Sequence, residues 1–427
     1  MRRAVRIDQD RRPPNAPPSR EAADPACAIR PGRLCQVTGT RWLRPILPLA
    51  ALVLLVSTIT WVRVPLLPDI GAELVLSPTQ LGWVVTMFGL GRLAMDLPAG
   101  RLADRVDPLR MFAAAAAVMG LASGLLAAAT ELSAVLAATA LLGAASATSN
   151  TTGMTAMSGS APDRRRGSAM ALFSGSLLVG QALGPALGGL VASVGTWRTA
   201  AAAGAGLAVV VAFGAALARR RGAGDHLRTV RRERPAPAGP ALSAFNHVVL
   251  FGVAFAVFFT IGAMPQTLIP LIGADDLGLG AAAIGLALGV GGLARMVGAV
   301  LTGAVSDRLS RRAALLPCLG LQAGGVALLA AGDASGWWLA AIVAMSLGSS
   351  GHAVGATMLG DRAAPGELGR VLGRYRFVGD IGLVVGPALA AWIYDAGGRG
   401  WAVAVVSAVL VAMLLAATTL PETGTRR

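Results

Sequence analysis

Twelve apolar stretches, most of them close to the 20 or so residues a helix needs to cross a bilayer, alternate with short polar segments along the chain. They fall at roughly 45–67, 79–100, 109–130, 133–157, 168–193, 198–218, 246–271, 280–303, 313–331, 336–358, 372–394 and 400–420. Two longer polar tracts interrupt the pattern. Residues 1–44 are rich in proline and arginine (RRPPNAPPSR) and lack the apolar core of a cleavable signal peptide. They read as a disordered cytosolic tail, or as the product of a start codon placed too early. The tract 219–244, with RRRGAGDHLRTVRRERPAPAGP, reads as a flexible cytosolic linker dividing the spans six and six. The expected fold class is an all-α membrane protein with 12 transmembrane helices in two six-helix halves, 45–218 and 245–420, followed by a cytosolic tail, 421–427.

Composition agrees with a bilayer as solvent. Of 427 residues, 55% are hydrophobic and 14% charged, against about 25% charged in a soluble domain. The formal net charge of +15 admits nucleic acid or anionic lipid as partner, and placement decides. All 37 basic residues are arginine, which with the abundant alanine and glycine suggests a GC-rich bacterial genome. With both termini inside, all but five of them lie in inner segments; Arg198 and Arg399 fall outside, and Arg63, Arg92 and Arg295 within spans. Cytoplasmic loops carry the excess of positive residues, so the reading is a multi-pass protein of the bacterial plasma membrane with both termini cytoplasmic. The arginines are dispersed through short membrane-flanking loops, which excludes nucleic acid as a partner, and aromatics at 5% are too few for a base-stacking surface. Trp83, Trp197, Trp337, Trp338 and Trp401 fall near outer span boundaries, as interface aromatics do, though span ends are also common places for packing tryptophans. Cys27, Cys35 and Cys318 are too scattered for a disulfide framework or zinc site, and no metal or cofactor is expected. Without a P-loop, an HExxH motif or a soluble nucleotide-binding domain, the chain does not read as an enzyme.

The halves repeat. Gly82, Gly89, Arg92, Gly100, Asp104 and Arg105 map onto Gly285, Gly292, Arg295, Gly303, Asp307 and Arg308 at an offset of 203 (82 to 285). Gly180, Gly184, Pro185, Ala186 and Leu187 map onto Gly382, Gly386, Pro387, Ala388 and Leu389 at 202 (180 to 382). Twelve spans in two related halves is an arrangement of transporters that rock around a midplane site.

The repeated segments carry family signatures. GRLADRVDPLR (Gly100–Arg110) resembles the loop between helices 2 and 3 of major facilitator superfamily transporters, and GAVSDRLSRR (Gly303–Arg312) is its weaker copy. GQALGPALGG (Gly180–Gly189) resembles the helix-5 motif of the 12-helix drug/proton antiporter branch, and GLVVGPALAA (Gly382–Ala391) is a degenerate copy. The resemblance covers about residues 45–420. One departure stands out: where that branch often has a helix-4 arginine four residues before a glycine, counting back from Gly143 reaches Thr139. The resemblance implies that Asp104 and Asp307 each lie near the N-terminus of a helix of the opposite half, span 11 or span 5. A carboxylate gains roughly 0.3–1 kcal/mol at a helix N-terminus, and such a contact exists only while the inner gate is shut. Gly100 and Gly303 would serve tight turns and close helix approach; Arg105 and Arg308 complete the gating motifs. Gly180, Gly184 and Gly188, with Gly189 beside them, present a smooth face for a neighbouring helix, and Pro185 permits a bend.

Charges inside a span cost about 2.5–3.5 kcal/mol each on insertion scales and read as functional. Arg92 and Asp96 are four apart on span 2, which runs inward; Arg376 and Asp380 are four apart on span 11, which runs outward. At 1.5 Å per residue this sets opposite charges at matching depths. The spacing predicts a crossed network, Asp96–Arg376 and Arg92–Asp380, tying the halves together at the cytoplasmic gate, with pairing inside each helix as the competing arrangement. The second half has no such ladder, since Ala299 and Leu178 replace the acids.

The resembled fold points spans 1, 4, 7 and 10 at a central cavity, which makes Arg63, Asn150, Gln266 and His352 substrate-cavity candidates, with Gln181 of span 5 beside them. Arg63 favours an anionic group on the substrate, or snorkels into outer water. Asp380, Asp96 and His352 are the candidates for proton coupling. The leading function is secondary active transport of a small organic molecule by alternating access as a monomer, with proton-coupled export. The alternatives are a facilitator or proton symporter importing a sugar, organic acid or other metabolite, and a non-transporting membrane sensor or scaffold on a transporter fold.

Overall fold

A computed structural model of the chain describes residues 46–103, 105–161, 165–220, 242–332, 334–363 and 367–422. All regular structure among the described residues is helical. The first half comprises α1 (Ile46–Leu74), α2 (Pro78–Ala103), α3 (Pro108–Ala128), α4 (Leu132–Ser160), α5 (Arg166–Val194) and α6 (Trp197–Arg220). The second comprises α7 (Ala244–Asp275), α8 (Ala281–Arg308), α9 (Arg311–Leu328) and α10 (Ser335–Gly360). Its last stretch, Leu368–Ala417, is interrupted at Gly398, whose φ of 78° lies in the left-handed region open to glycine. It counts as α11 (368–397) and α12 (399–417).

Nine stretches among the described residues are by themselves long and apolar enough to cross a bilayer. The merged Leu368–Ala417 supplies two of the rods. The remaining two are α2, which carries Arg92, Asp96 and Arg101, and α9, which has 18 residues and starts with two arginines. Three helices start on side-chain caps at the end where α6 stops and α7 begins, called here the linker side. Asp107 accepts from the Arg110 N–H at 3.0 Å, Ser243 from Asn246 at 3.2 Å and Ser310 from Ala313 at 3.1 Å. Each such cap stabilises its helix by about 1 kcal/mol.

The seams between the halves are built on the repeated glycines. On α2, a Cβ at Gly82 would stand 2.8 Å from the Pro387 carbonyl oxygen of α11; on α8, one at Gly285 would collide with the Pro185 carbonyl of α5. The α2–α11 and α5–α8 pairs therefore approach backbone to backbone, as small residues allow in lipid. Within each half the same logic holds: Gly180, Gly184 and Gly188 lay α5 against Leu54, Thr58 and Val62 of α1, and Ser57 Oγ donates to the Leu177 carbonyl at 2.8 Å. Gly382 and Gly386 lay α11 against Phe255 and Phe259 of α7.

Apolar packing divides unevenly along the membrane normal. On the side away from the linker, one buried core runs through both halves, from Leu66, Ile70 and Val85 to Ile272, Ile284 and Trp338. On the linker side there are two separate cores: one around Phe112, Met119 and Met157 in the first half, the other around Leu250, Leu315 and Met358 in the second.

These placements correct the reading of two glycines and separate the tryptophans. Gly100 and Gly303 lie inside α2 and α8, at negative φ with nothing within 4 Å of a built Cβ, so they serve neither a tight turn nor a close approach. The helices run on into the first residues of the loop motifs, α2 to Ala103 and α8 to Arg308, so the turns come after these glycines. Trp197 and Trp338 are buried, anchored by bonds from their indole N–H groups to Glu73 at 2.5 Å and to the Ile269 carbonyl at 3.3 Å; Trp83, Trp337 and Trp401 remain exposed.

Candidate functional site

The α2–α11 seam carries a four-membered charge cluster. Arg92 Nη2 lies 3.6 Å from an Asp380 carboxylate oxygen, and Arg376 Nη2 donates to Asp96 at 3.3 Å. Arg376 also reaches Asp380 on its own helix at 3.8 Å. One guanidinium thus serves both acids, and pairing runs across the seam and along α11 at once. Asp380 is 0% exposed, and neither carboxylate oxygen has a hydrogen-bond partner of good geometry; the two arginines face it as charges, and the Asp96 carboxyl group lies beside it. Removing one member of such a buried pair costs about 3–5 kcal/mol.

On the linker side Asp104 lies outside the described residues. Asp307 does not approach α5. Its side chain is 76% exposed and pairs at 3.0 Å with Arg311, four residues on, which also holds Asp361 at 3.2 Å. The helix-terminus contact expected only with the inner gate shut is not made by Asp307 here, in keeping with linker-side cores that stay separate. Arg105 and Arg308 are exposed at the ends of this face.

Toward the far side, Arg63 Nη2 donates to Gln266 Oε1 at 2.9 Å, and its guanidinium sits 4.1 Å above the centre of the Phe88 ring. At 5% exposure it does not snorkel to water. This contact joins α1 to α7 where both lose regular α-helical form, at the 3-10 turn Val64–Leu66 and the π turn Met264–Leu268.

Between these two levels a pocket of about 560 Å³, its open mouth included, lies where α1 and α5 face α7, α8, α9 and α10. Its polar lining is Gln181, Thr260, Arg295, Gln322, Ser346 and Ser349; Trp61, Ile261, Ile269, Leu288 and Met345 supply apolar walls. Arg295 Nη1 donates to Gln181 Oε1 at 3.1 Å. Of the cavity candidates, Gln181 lines this pocket. Arg63 and Gln266 pair beside it, and Asn150 is half-buried on α4. His352 packs edge-on against Phe258 at 5.2 Å, with Nδ1 2.9 Å from the Ser349 carbonyl oxygen.

The amino-acid sequence that builds these two helical halves matches a known family. The Major Facilitator Superfamily sequence model matches residues 49–331 and 250–427. The chain belongs to this superfamily. Among solved structures of similar fold is a bacterial homologue of the human lysosomal transporter Spinster, in an inward-facing and occupied conformation: TM-score 0.70, 16% identity, covering 87% of this chain and 95% of that one. Its inward-facing unoccupied form gives a TM-score of 0.66 at 16% identity, covering 89% and 98%. A variant of the nucleoside transporter NupG gives 0.71 at 10%, covering 88% and 99%. At these identities the likeness establishes the fold alone.

Within that fold, sequence reasoning named the crossed pairs of α2 and α11 but missed the partners of Arg63 and Arg295. Arg63 and Gln266 are 203 residues apart, the repeat offset itself, so the internal repeat contained the signal. Arg295 was visible as a charge within a span, but its place in the pocket beside Gln181 and Gln322 depends on how α5, α8 and α9 converge. Trp61 carried no signal beyond an apolar face.

Proposed function

We propose that the chain is a secondary active transporter that exports a small organic molecule from a bacterial cytoplasm by alternating access, driven by inward proton flow. It works as a monomer in the plasma membrane with both termini and the linker in the cytoplasm. The observation that carries the reading is the uneven packing: one apolar core closes the far side across both halves, while the linker side holds two separate cores with a pocket between the halves. The arginine-rich linker-side segments support assigning that side to the cytoplasm.

Alternation follows from the seams. The smooth α2–α11 and α5–α8 contacts let one half, 45–218, rock against the other, 245–420. Rocking breaks Arg63–Gln266 as the far side opens, and brings together Asp104, Asp307 and the opposing helix ends as the cytoplasmic side closes. The charge cluster tracks the same motion. When Arg92 and Asp96 move relative to Arg376 and Asp380, an acid parted from its guanidinium in a water-poor seam is neutralised by taking a proton. Asp380 is the first choice for that carrier, Asp96 the second and His352 the third.

The test uses inverted membrane vesicles from an efflux-deficient host, with an interior pH dye reporting proton movement when each member of a compound panel is added. The expected result is a compound that dissipates the imposed gradient with the native chain and fails to with Asp380→Asn. A compound whose flux is unchanged by collapsing the gradient overturns proton coupling and marks a facilitator.

A further inference from the structure

We propose that the pocket takes an organic anion, with Arg295 binding its carboxylate or similar acidic group and the Gln322 side chain accepting a hydrogen bond from a donor on the same molecule. The proposal rests on the transport reading only in calling this ligand the cargo.

Arg295 lies within the apolar span α8 and lines the pocket. Among the described residues no carboxylate lies within ion-pairing distance of it, and its one hydrogen bond goes to the neutral amide of Gln181 at 3.1 Å. A guanidinium offers five N–H donors, so this cation in the membrane keeps most of its donors and its whole charge for something else. The internal repeat sharpens the point. Arg92, at the equivalent position of the first half, is paired with Asp380 across its seam. Across the other seam, Leu178 stands where an acid would complete the same pair. The first half spends its arginine on the gate; the second leaves the matching arginine facing the pocket without a counter-ion. Charges at this depth are retained where they serve a ligand or ion path.

The other polar groups agree. The hydroxyls of Thr260 and Ser349 donate back to carbonyls of their own helices, at 2.8 and 2.7 Å, which leaves Arg295 as the strong donor. Gln322 is 1% exposed, lines the pocket, and its Oε1 is buried without a hydrogen-bond partner. An unpaired buried acceptor calls for a donor, here a hydroxyl or N–H of the ligand. The walls from Trp61, Ile261, Ile269, Leu288 and Met345 suit an apolar body between these two groups. The substrate class is therefore an amphiphilic hydroxy or amino acid rather than a cation.

The test is a binding measurement on the purified full-length protein in detergent. The probes are monocarboxylates with aliphatic or aromatic bodies, with and without a hydroxyl, each paired with its neutral methyl amide and its amine analogue. The expected result is thermal stabilisation by one or more acids, and binding about tenfold or more weaker for the matched amide, as loss of a charge-assisted contact predicts. Arg295→Gln should lose the discrimination and Arg295→Lys keep part of it. Gln322→Leu should weaken hydroxylated acids more than plain acids and so narrow the difference between them. The acid-to-amide comparison on the native chain does not depend on any variant folding. Amides or amines that stabilise as well as the acids overturn the proposal, as does a panel in which no acid stabilises. Acids that bind without any flux in vesicles overturn the transport reading instead.

Discussion

Arg63 and Gln266 stand at equivalent places in the two halves, 203 residues apart, and meet through a 2.9 Å hydrogen bond. The bond spans the pseudo-symmetric interface on its closed side, with the guanidinium stacked over Phe88 and its Nε already without a partner. Gln266→Leu should therefore strand a buried cation and lower stability by about 1.5–3 kcal/mol. Adding Arg63→Met should recover part of the loss, because neither polar group is then left alone. Thermal unfolding in detergent checks both; a double variant no better than the single would mean that the two residues act independently.

The Arg92–Asp380 and Arg376–Asp96 pairs make a double-mutant cycle informative. Arg92→Gln and Asp380→Asn should each cost about 3–5 kcal/mol, and the double variant should cost less than their sum by roughly 0.5–3 kcal/mol. The reversed pair, Arg92→Asp with Asp380→Arg, should regain part of whatever folded yield the single reversals lose. Strict additivity in denaturant unfolding would argue against direct pairing.

Glycines of the same motif family should separate sharply. Gly285→Ala drives a methyl into the Pro185 carbonyl, and part or all of the α5–α8 seam must shift, so folded yield should fall. Gly100→Ala and Gly303→Ala meet only open space and gain helix propensity worth about 0.8–1.0 kcal/mol in a helix interior. Parallel expression and melting curves decide; an equal loss at Gly303 would place a neighbour against it.

Asp307 offers a test of the linker-side arrangement. Its pair with Arg311 is exposed, and such pairs contribute about 0.2–1 kcal/mol. Asp307→Asn should change stability by no more than that, and raising salt should shrink the difference further. A loss of several kcal/mol, unaffected by salt, would reveal a buried partner on the opposite half.

Much of this molecule is written in local pattern. The twelve apolar stretches follow from hydropathy alone, because every backbone polar group in a bilayer must be satisfied inside its own helix. The opposite-sign ladder on α2 and α11 followed from helical rise, since depth in a membrane is nearly linear in sequence. Loop glycines were misread because a motif gives residue types and not φ values: Gly100 and Gly303 look like turn residues and are helical. Which tryptophans pack, as Trp197 and Trp338 do, was not legible because a span end tells depth but not azimuth, and azimuth decides whether a ring meets lipid or a neighbouring helix.

The sequence by itself determined the helices, the family, and the depth of each charge. It also named the crossed pairs Arg92–Asp380 and Asp96–Arg376, which the structure contains; only the tertiary structure decided the remaining partners. It set Arg376 between two acids, gave Arg63 to Gln266, and left Arg295 facing the pocket with a neutral amide. The physical reason is that pairing depends on which helix faces are brought together across the seams. That choice is made by long-range packing of small residues, whose order along the chain does not name the face they meet.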